Sequence, residues 1–211
     1  MNILTERLPK AIRVNGTVYP INSDFRDCLR IILAFEDNDL TWLEKQAVLL
    51  ENLYAEQPPD DDIQEAIRQG VKFLDGGDTE DSEEDKAKPM SERRLYSFSK
   101  DGRFIFTAFQ QTHGIDLQNT EYLHWWHFLT LFLDLGSETL FCSLVGLRKR
   151  VNTGKATKEE RAVAREMGDV FTVPQLDTRP IELKEREREF VNQVKEARRN
   201  KHRNKKDKAN G

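Results

Sequence analysis

The amino-acid sequence predicts a mainly α-helical protein: a multi-helix assembly with a small N-terminal β-hairpin, an acidic flexible linker and a basic C-terminal tail. Three observations predict it. Apolar residues recur at three- and four-residue spacing along most of the chain. Two Thr-x-x-Glu sequences, Thr41 to Glu44 and Thr157 to Glu160, stand as capping boxes ahead of helical segments. Residues 11–21 instead place the β-formers Ile12, Val14, Val18 and Ile21 around Asn15-Gly16, the favoured two-residue hairpin turn.

A lone hairpin is marginal in water, so this one is expected to lean on a helix. Ser23 reads as the N-cap of a helix over about 24–36, with Phe25, Leu29, Ile32 and Phe35 on one face. Glu36-Asp37-Asn38-Asp39 ends it. The helix opened by Thr41 runs to about Glu56, with Leu43, Ala47, Leu50 and Tyr54 on one face, and Pro58-Pro59 stops the chain there. Asp60 to Asp62 put negative charge at the start of the next helix, where its dipole favours it. Ile63, Ile67, Val71 and Leu74 line that helix, and Gly76-Gly77 end it.

Residues 76–89 have no apolar period. Six acids between Asp78 and Asp85 face only Lys86 and Lys88, the signature of a flexible acidic linker. Residues 95–113 carry two patterns. Tyr96, Phe98, Phe104 and Phe106 suit a hairpin turning at Asp101-Gly102, whereas Phe104, Ala108 and Thr112, with Ile105 and Phe109, make a helix face. Helix from about Asp101 is the preferred reading and the hairpin is the alternative. Residues 120–135 give the strongest helical signal. Trp125, Phe128, Phe132 and Leu135 lie on one face, and Tyr122, Trp126, Leu129 and Leu133 on the adjoining one. That arc is wider than a surface helix needs, so a second core is expected around it. Adjacent tryptophans on a helix diverge, so one of the pair should pack inside while the other reaches the flank. Gly136 ends this helix, and Ser137 caps a short one holding Leu140, Phe141, Leu144 and Leu147. The helix after Thr157 is thin in large apolar residues and should be exposed. Pro174 and Pro180 bound a loop. A charged helix from Ile181 carries Leu183, Phe190, Val194 and Ala197 as a narrow stripe. The expected organisation is therefore 1–75, linker 76–92, aromatic core 93–175, charged helix 176–200 and disordered basic tail 201–211.

Hydrophobic residues make up 37% of the 211 and charged residues 33%, so the core is small and much of each helix faces water or a partner. Cys28 and Cys142 sit among apolar residues and read as buried free thiols, since two cysteines make no disulfide framework. The N-terminus lacks a signal-peptide core and no apolar run approaches the ~20 residues of a membrane helix. A cytoplasmic protein with no membrane contact is the expectation.

Catalytic chemistry finds little support. His124 and His127, three apart on one predicted helix, lack a third ligand at a recognisable spacing, so no metal and no cofactor is expected. No phosphate loop or nucleophile elbow is present. The tail from Lys195 onward holds eight lysines and arginines, among them Arg198 and Arg199, but no aromatics for base stacking, which disfavours nucleic-acid binding. The candidate functional residues are therefore contacts for proteins: Phe109, Trp125, Trp126 and Phe128 in the aromatic region, Arg198 and Arg199 in the tail.

Asp101 through Phe109, Gly114-Ile115-Asp116-Leu117, Leu123-His124-Trp125-Trp126-His127-Phe128 and Leu147-Arg148 together resemble the bacteriophage gene-product-fifteen family, across most of the chain. The His-Trp-Trp-x-Phe core after Gly-Ile-Asp-Leu is the specific part of the match. The resemblance implies a tail-assembly chaperone or related tail-morphogenesis protein of long-tailed phages and prophages. It implies the tape measure protein and the tail tube protein as partners, the host cytoplasm as the place of action, and absence from the mature virion. It carries over no catalytic residue. A homo-oligomer is compatible with it, because weak contacts gain avidity from several copies. Retention in the virion, or a regulator acting on nucleic acid through the basic tail, are the rival readings.

Overall fold

In a computed structural model, described over residues 3–77 and 93–176, a two-stranded hairpin leads into seven helices. Most of the predicted acidic linker, the charged helix after Ile181 and the basic tail with Arg198 and Arg199 lie outside the described residues.

Strands β1 (Ala11–Val14) and β2 (Thr17–Pro20) pair antiparallel, Ala11 opposite Pro20 and Val14 opposite Thr17. Asn15 and Gly16 both take positive φ, 44° and 91°, as this turn requires. Ile12 and Val14 point inward and Ala11 and Arg13 outward. The hairpin leans on the third helix region, as expected: Tyr19 Oη and Asn15 Nδ2 both donate to the Asp62 carboxylate, at 3.1 and 2.8 Å.

Helix α1 (Phe25–Glu36) buries Phe25, Cys28 and Ile31. Its cap is Asp24, not the expected Ser23: Asp24 accepts from the Arg26 amide, while Ser23 Oγ pairs with the Tyr122 hydroxyl at 2.8 Å. Helix α2 (Trp42–Leu53) forms the capping box of Thr41 and Glu44. It ends before the expected Glu56, because Ile21 bridges to Tyr54 and the Ala55 amide donates to Pro20 O, drawing the chain alongside the hairpin. Its buried face is Leu49, Leu50 and Leu53; Leu43 and Ala47 are exposed, since only the second half of the helix meets the core. Helix α3 (Ile63–Leu74) follows a single 3-10 turn over Asp60–Asp62. A Cβ on Gly70 would lie 2.8 Å from Leu49 Cδ2, so glycine permits the close packing of α3 on α2.

Residues 95–113 resolve as helix: α4 spans Phe98–His113, with Ser97 as N-cap and Gly114 in the left-handed region as C-cap. The hairpin alternative is not adopted. The Glu36 carboxylate, at the end of α1, accepts from the Phe98 and Ser99 amides at 3.1 and 3.3 Å and from Ser97 Oγ at 2.7 Å, which settles anionic charge on a helix N-terminus. Helix α5 spans Trp125–Leu133, shorter than expected at its start. Residues 120–124 stay outside the helix instead. Phe25 N donates to Leu123 O, Trp125 N to Ser23 O and Leu123 N to the Asp24 carboxylate. Helix α6 (Leu140–Asn152) is capped by Thr139 rather than Ser137. Helix α7 (Lys158–Met167) forms the second capping box and buries only Ala164.

One apolar cluster runs from Ile12 to Phe141, so the separate core expected around Trp125 does not exist. Phe128 of α5 joins the two stretches: its ring stacks at 5.2 Å on Phe25, 4.9 Å on Phe109 and 5.4 Å on Trp125. Beside this stack lies an ion pair that sequence reasoning did not anticipate. Asp101 and Arg148 are 0% and 2% exposed and pair bidentately, at 2.7 and 3.0 Å. Arg148 also donates to the carbonyls of Leu95, Val170 and Phe171, so all five of its N–H groups are bonded.

Candidate partner-binding groove

The two tryptophans diverge as their adjacency requires. Trp125 is buried and its indole N–H donates to Leu74 O at 2.8 Å; Trp126 is half-buried and its indole N–H donates to Phe73 O at 2.7 Å. Both bonds go to carbonyls at the C-terminal end of α3; that of Phe73 also accepts the Gly76 amide at 3.1 Å. Trp126 also stacks on Phe73. Gly77, at φ 81°, lies so close that a Cβ would meet the Trp126 ring at 2.8 Å.

These contacts fix α5 as one wall of an open groove of about 1190 Å³. Trp126, Leu129 and Leu133 line it on α5, Phe35 on α1, Phe98 at the start of α4 and Tyr96 just before it. Leu133 is 85% exposed. The groove exceeds the usual 300–1,000 Å³ of small-molecule pockets and is mostly apolar-walled. Its charged lining includes the Glu36–Arg94 ion pair, in which Arg94 is further held by Gln175: the Arg94 amide donates to Gln175 Oε1 at 2.9 Å. Burial, helped by Glu36, pushes the Tyr96 hydroxyl above its ordinary range, so it stays protonated. Burial likewise raises Asp75 at the rim.

The predicted contact residues part ways here. Trp126 lines the groove and Trp125 forms part of its floor. Phe109 and Phe128 are 0% and 1% exposed and fill the core. Arg198 and Arg199 lie outside the described residues. Leu129 and Leu133 join Trp126, and their signal was the adjoining face of the predicted helix. Tyr122, assigned to that same face, stands before the helix and bonds Ser23 instead. Phe35 and Tyr96 carried no such signal, because their partners lie far along the chain.

His124 and His127 do not share a helix. His124 is the N-cap of α5, 5% exposed, with both ring nitrogens bonded, and only His127 is on the helix and exposed. Among the described residues no three histidine, cysteine or carboxylate side chains gather as a metal site. Cys28 is buried and free; burial and the carboxylates of Asp27 and Asp24 push its thiol far up, which keeps it a thiol. Cys142 is free and half-buried. Among the described residues no helix is long and apolar enough to cross a membrane.

A family model described as Bacteriophage Gp15 protein matches residues 4–173. The chain belongs to this phage family. The match takes in the hairpin, the seven described helices and all of the groove lining except Ile3 and Leu176, and stops before the charged C-terminal region. No curated protein and no solved structure matches the chain. The aromatic segment of this Gp15-family protein, from His124 to Phe128, therefore has two roles in the fold: Trp125 and Phe128 hold the core while Trp126 faces the groove.

Proposed function

We propose that this phage protein is a non-enzymatic helper of tail morphogenesis, an assembly chaperone. It binds the tape measure and tail tube proteins in the host cytoplasm and leaves before the particle is finished. The observation that carries the reading is the groove. Beside a fully packed aromatic core, Leu133 of α5 stands exposed with Trp126 and Leu129 half-buried next to it, an apolar groove wall that a partner could cover. A tape measure, being long and helical with apolar stripes, offers the shape that helix-in-groove recognition takes. Family membership supports the phage setting.

A helper must also release its client. Single contacts near the micromolar range, about 8 kcal/mol each, reinforced by several copies, suit that need. Co-expression with a tape measure fragment tests the proposal. The fragment becomes soluble and co-elutes with the protein on a sizing column. A fragment that stays insoluble, with no complex formed, contradicts it. Mass spectrometry of purified particles separates a chaperone from a retained tail component: the chaperone is absent.

A further inference from the structure

We propose that His124 is an acid-sensitive latch: its neutral imidazole ties the N-terminal segment to the start of α5, and protonation releases that helix end and loosens the groove wall it carries. The inference stands on the fold and holds whatever the groove binds.

The geometry fixes the protonation state that the fold needs. His124 Nδ1 accepts the Trp126 backbone N–H at 3.1 Å, and Nε2 donates to Pro9 O at 2.8 Å. A ring nitrogen that accepts from an amide carries no proton, so the Nε2–H tautomer is required. Adding the second proton leaves the Pro9 bond intact and sets an N–H against the Trp126 N–H. The damage falls on the cap of α5, and Trp126 is the residue whose amide it held. Phe73 at 5.9 Å and Trp126 at 6.1 Å flank the ring and the residue is 5% exposed, which limits hydration of the new charge.

The surrounding charges push the same way. Arg7 and Lys10 of the N-terminal segment share a concavity of about 530 Å³ with His124 and Tyr122, and Lys10 lies over the Tyr122 ring. His127 follows on α5. Asp24, which bridges His124 through the backbone, is the nearby acid, but its carboxylate is engaged by Arg26 and by the Leu123 amide. From α3 the ring meets the uncharged Phe73. Burial leads, with Lys10 and His127 adding to it, and the imidazole is held below its ordinary value despite the bond to Pro9. The sign follows. A histidine depressed in the fold adds stability that is complete above the unfolded value near 6.5, and that stability is lost as the pH falls through the folded value.

The test compares wild type, His124→Asn and His127→Asn between about pH 7.5 and about pH 5, reading the thermal midpoint and tryptophan emission. Asparagine can still cap the helix but cannot titrate. Wild type and His127→Asn are expected to lose roughly 2–4 °C more than His124→Asn over that span, the scale of one lost cap, with a red shift of Trp126. Nitrogen chemical shifts of the wild-type imidazole report the Nε2–H tautomer at neutral pH. Equal pH slopes in wild type and His124→Asn, an Nδ1–H tautomer, or an imidazole that protonates while the Trp126 amide stays unmoved would overturn the latch.

Discussion

The seam between α4 and α6 and the groove wall on α5 border the same apolar cluster, yet they handle awkward side chains in opposite ways. At the seam a full charge pair is removed from water. Every N–H of Arg148 has an acceptor, and the carboxylate of Asp101 also takes the Ser97 amide at 3.0 Å. At the groove, apolar side chains that burial would favour are left in water, Leu133 most of all. The first arrangement joins four stretches of chain around one guanidinium. In the second, Trp126 and Leu129 still pack on the core while Leu133, 85% exposed, adds little to folding that a polar residue would not. Complete satisfaction marks architecture, and the exposed Leu133 beside a rigid support is the feature on which the proposed binding role rests.

The largest break to this contrast comes at the seam. Arg148→Met strands a buried carboxylate and three carbonyls, and is expected to lower stability by about 3–5 kcal/mol in chemical denaturation. Adding Asp101→Leu should recover part of the loss but not all, because the carbonyls of Leu95, Val170 and Phe171 remain unpaired. Next comes Phe128→Ala, which empties the centre of the aromatic stack and should cost about 3–5 kcal/mol, with loss of the near-ultraviolet dichroism of Trp125. Ser97→Ala removes the cap of α4 and should cost about 1 kcal/mol. Smallest is Leu133→Ser, expected within about 0.5 kcal/mol of wild type in stability. It sharpens the contrast because partner binding should weaken while the fold does not notice.

Much of the fold was legible in the sequence for local reasons. Thr41 with Glu44 and Thr157 with Glu160 sit three apart and cap their own helices, and Asn15-Gly16 makes its own turn. What failed to show depended on distant partners. Asp24 displaced Ser23 as cap because Tyr122 claims the serine hydroxyl from 99 positions away. The start of the aromatic helix moved to Trp125 because residues 123–125 are fastened to Ser23, Asp24 and Phe25. The resemblance to the phage family was readable from the His124–Phe128 segment, and the family match bears it out. The groove was half legible. Trp126, Leu129 and Leu133 share a helix face, whereas Phe35 and Tyr96 reach it only through the folded chain.

The central claim is that the α5 groove is where this protein holds its client. Amide hydrogen exchange of the protein, alone and in complex with a tape measure fragment, tests it most directly. Protection that rises over residues 94–98 and 126–133 is the predicted result. Protection confined to α7 or the hairpin, with the α5 peptides exchanging as in the free protein, would contradict the claim.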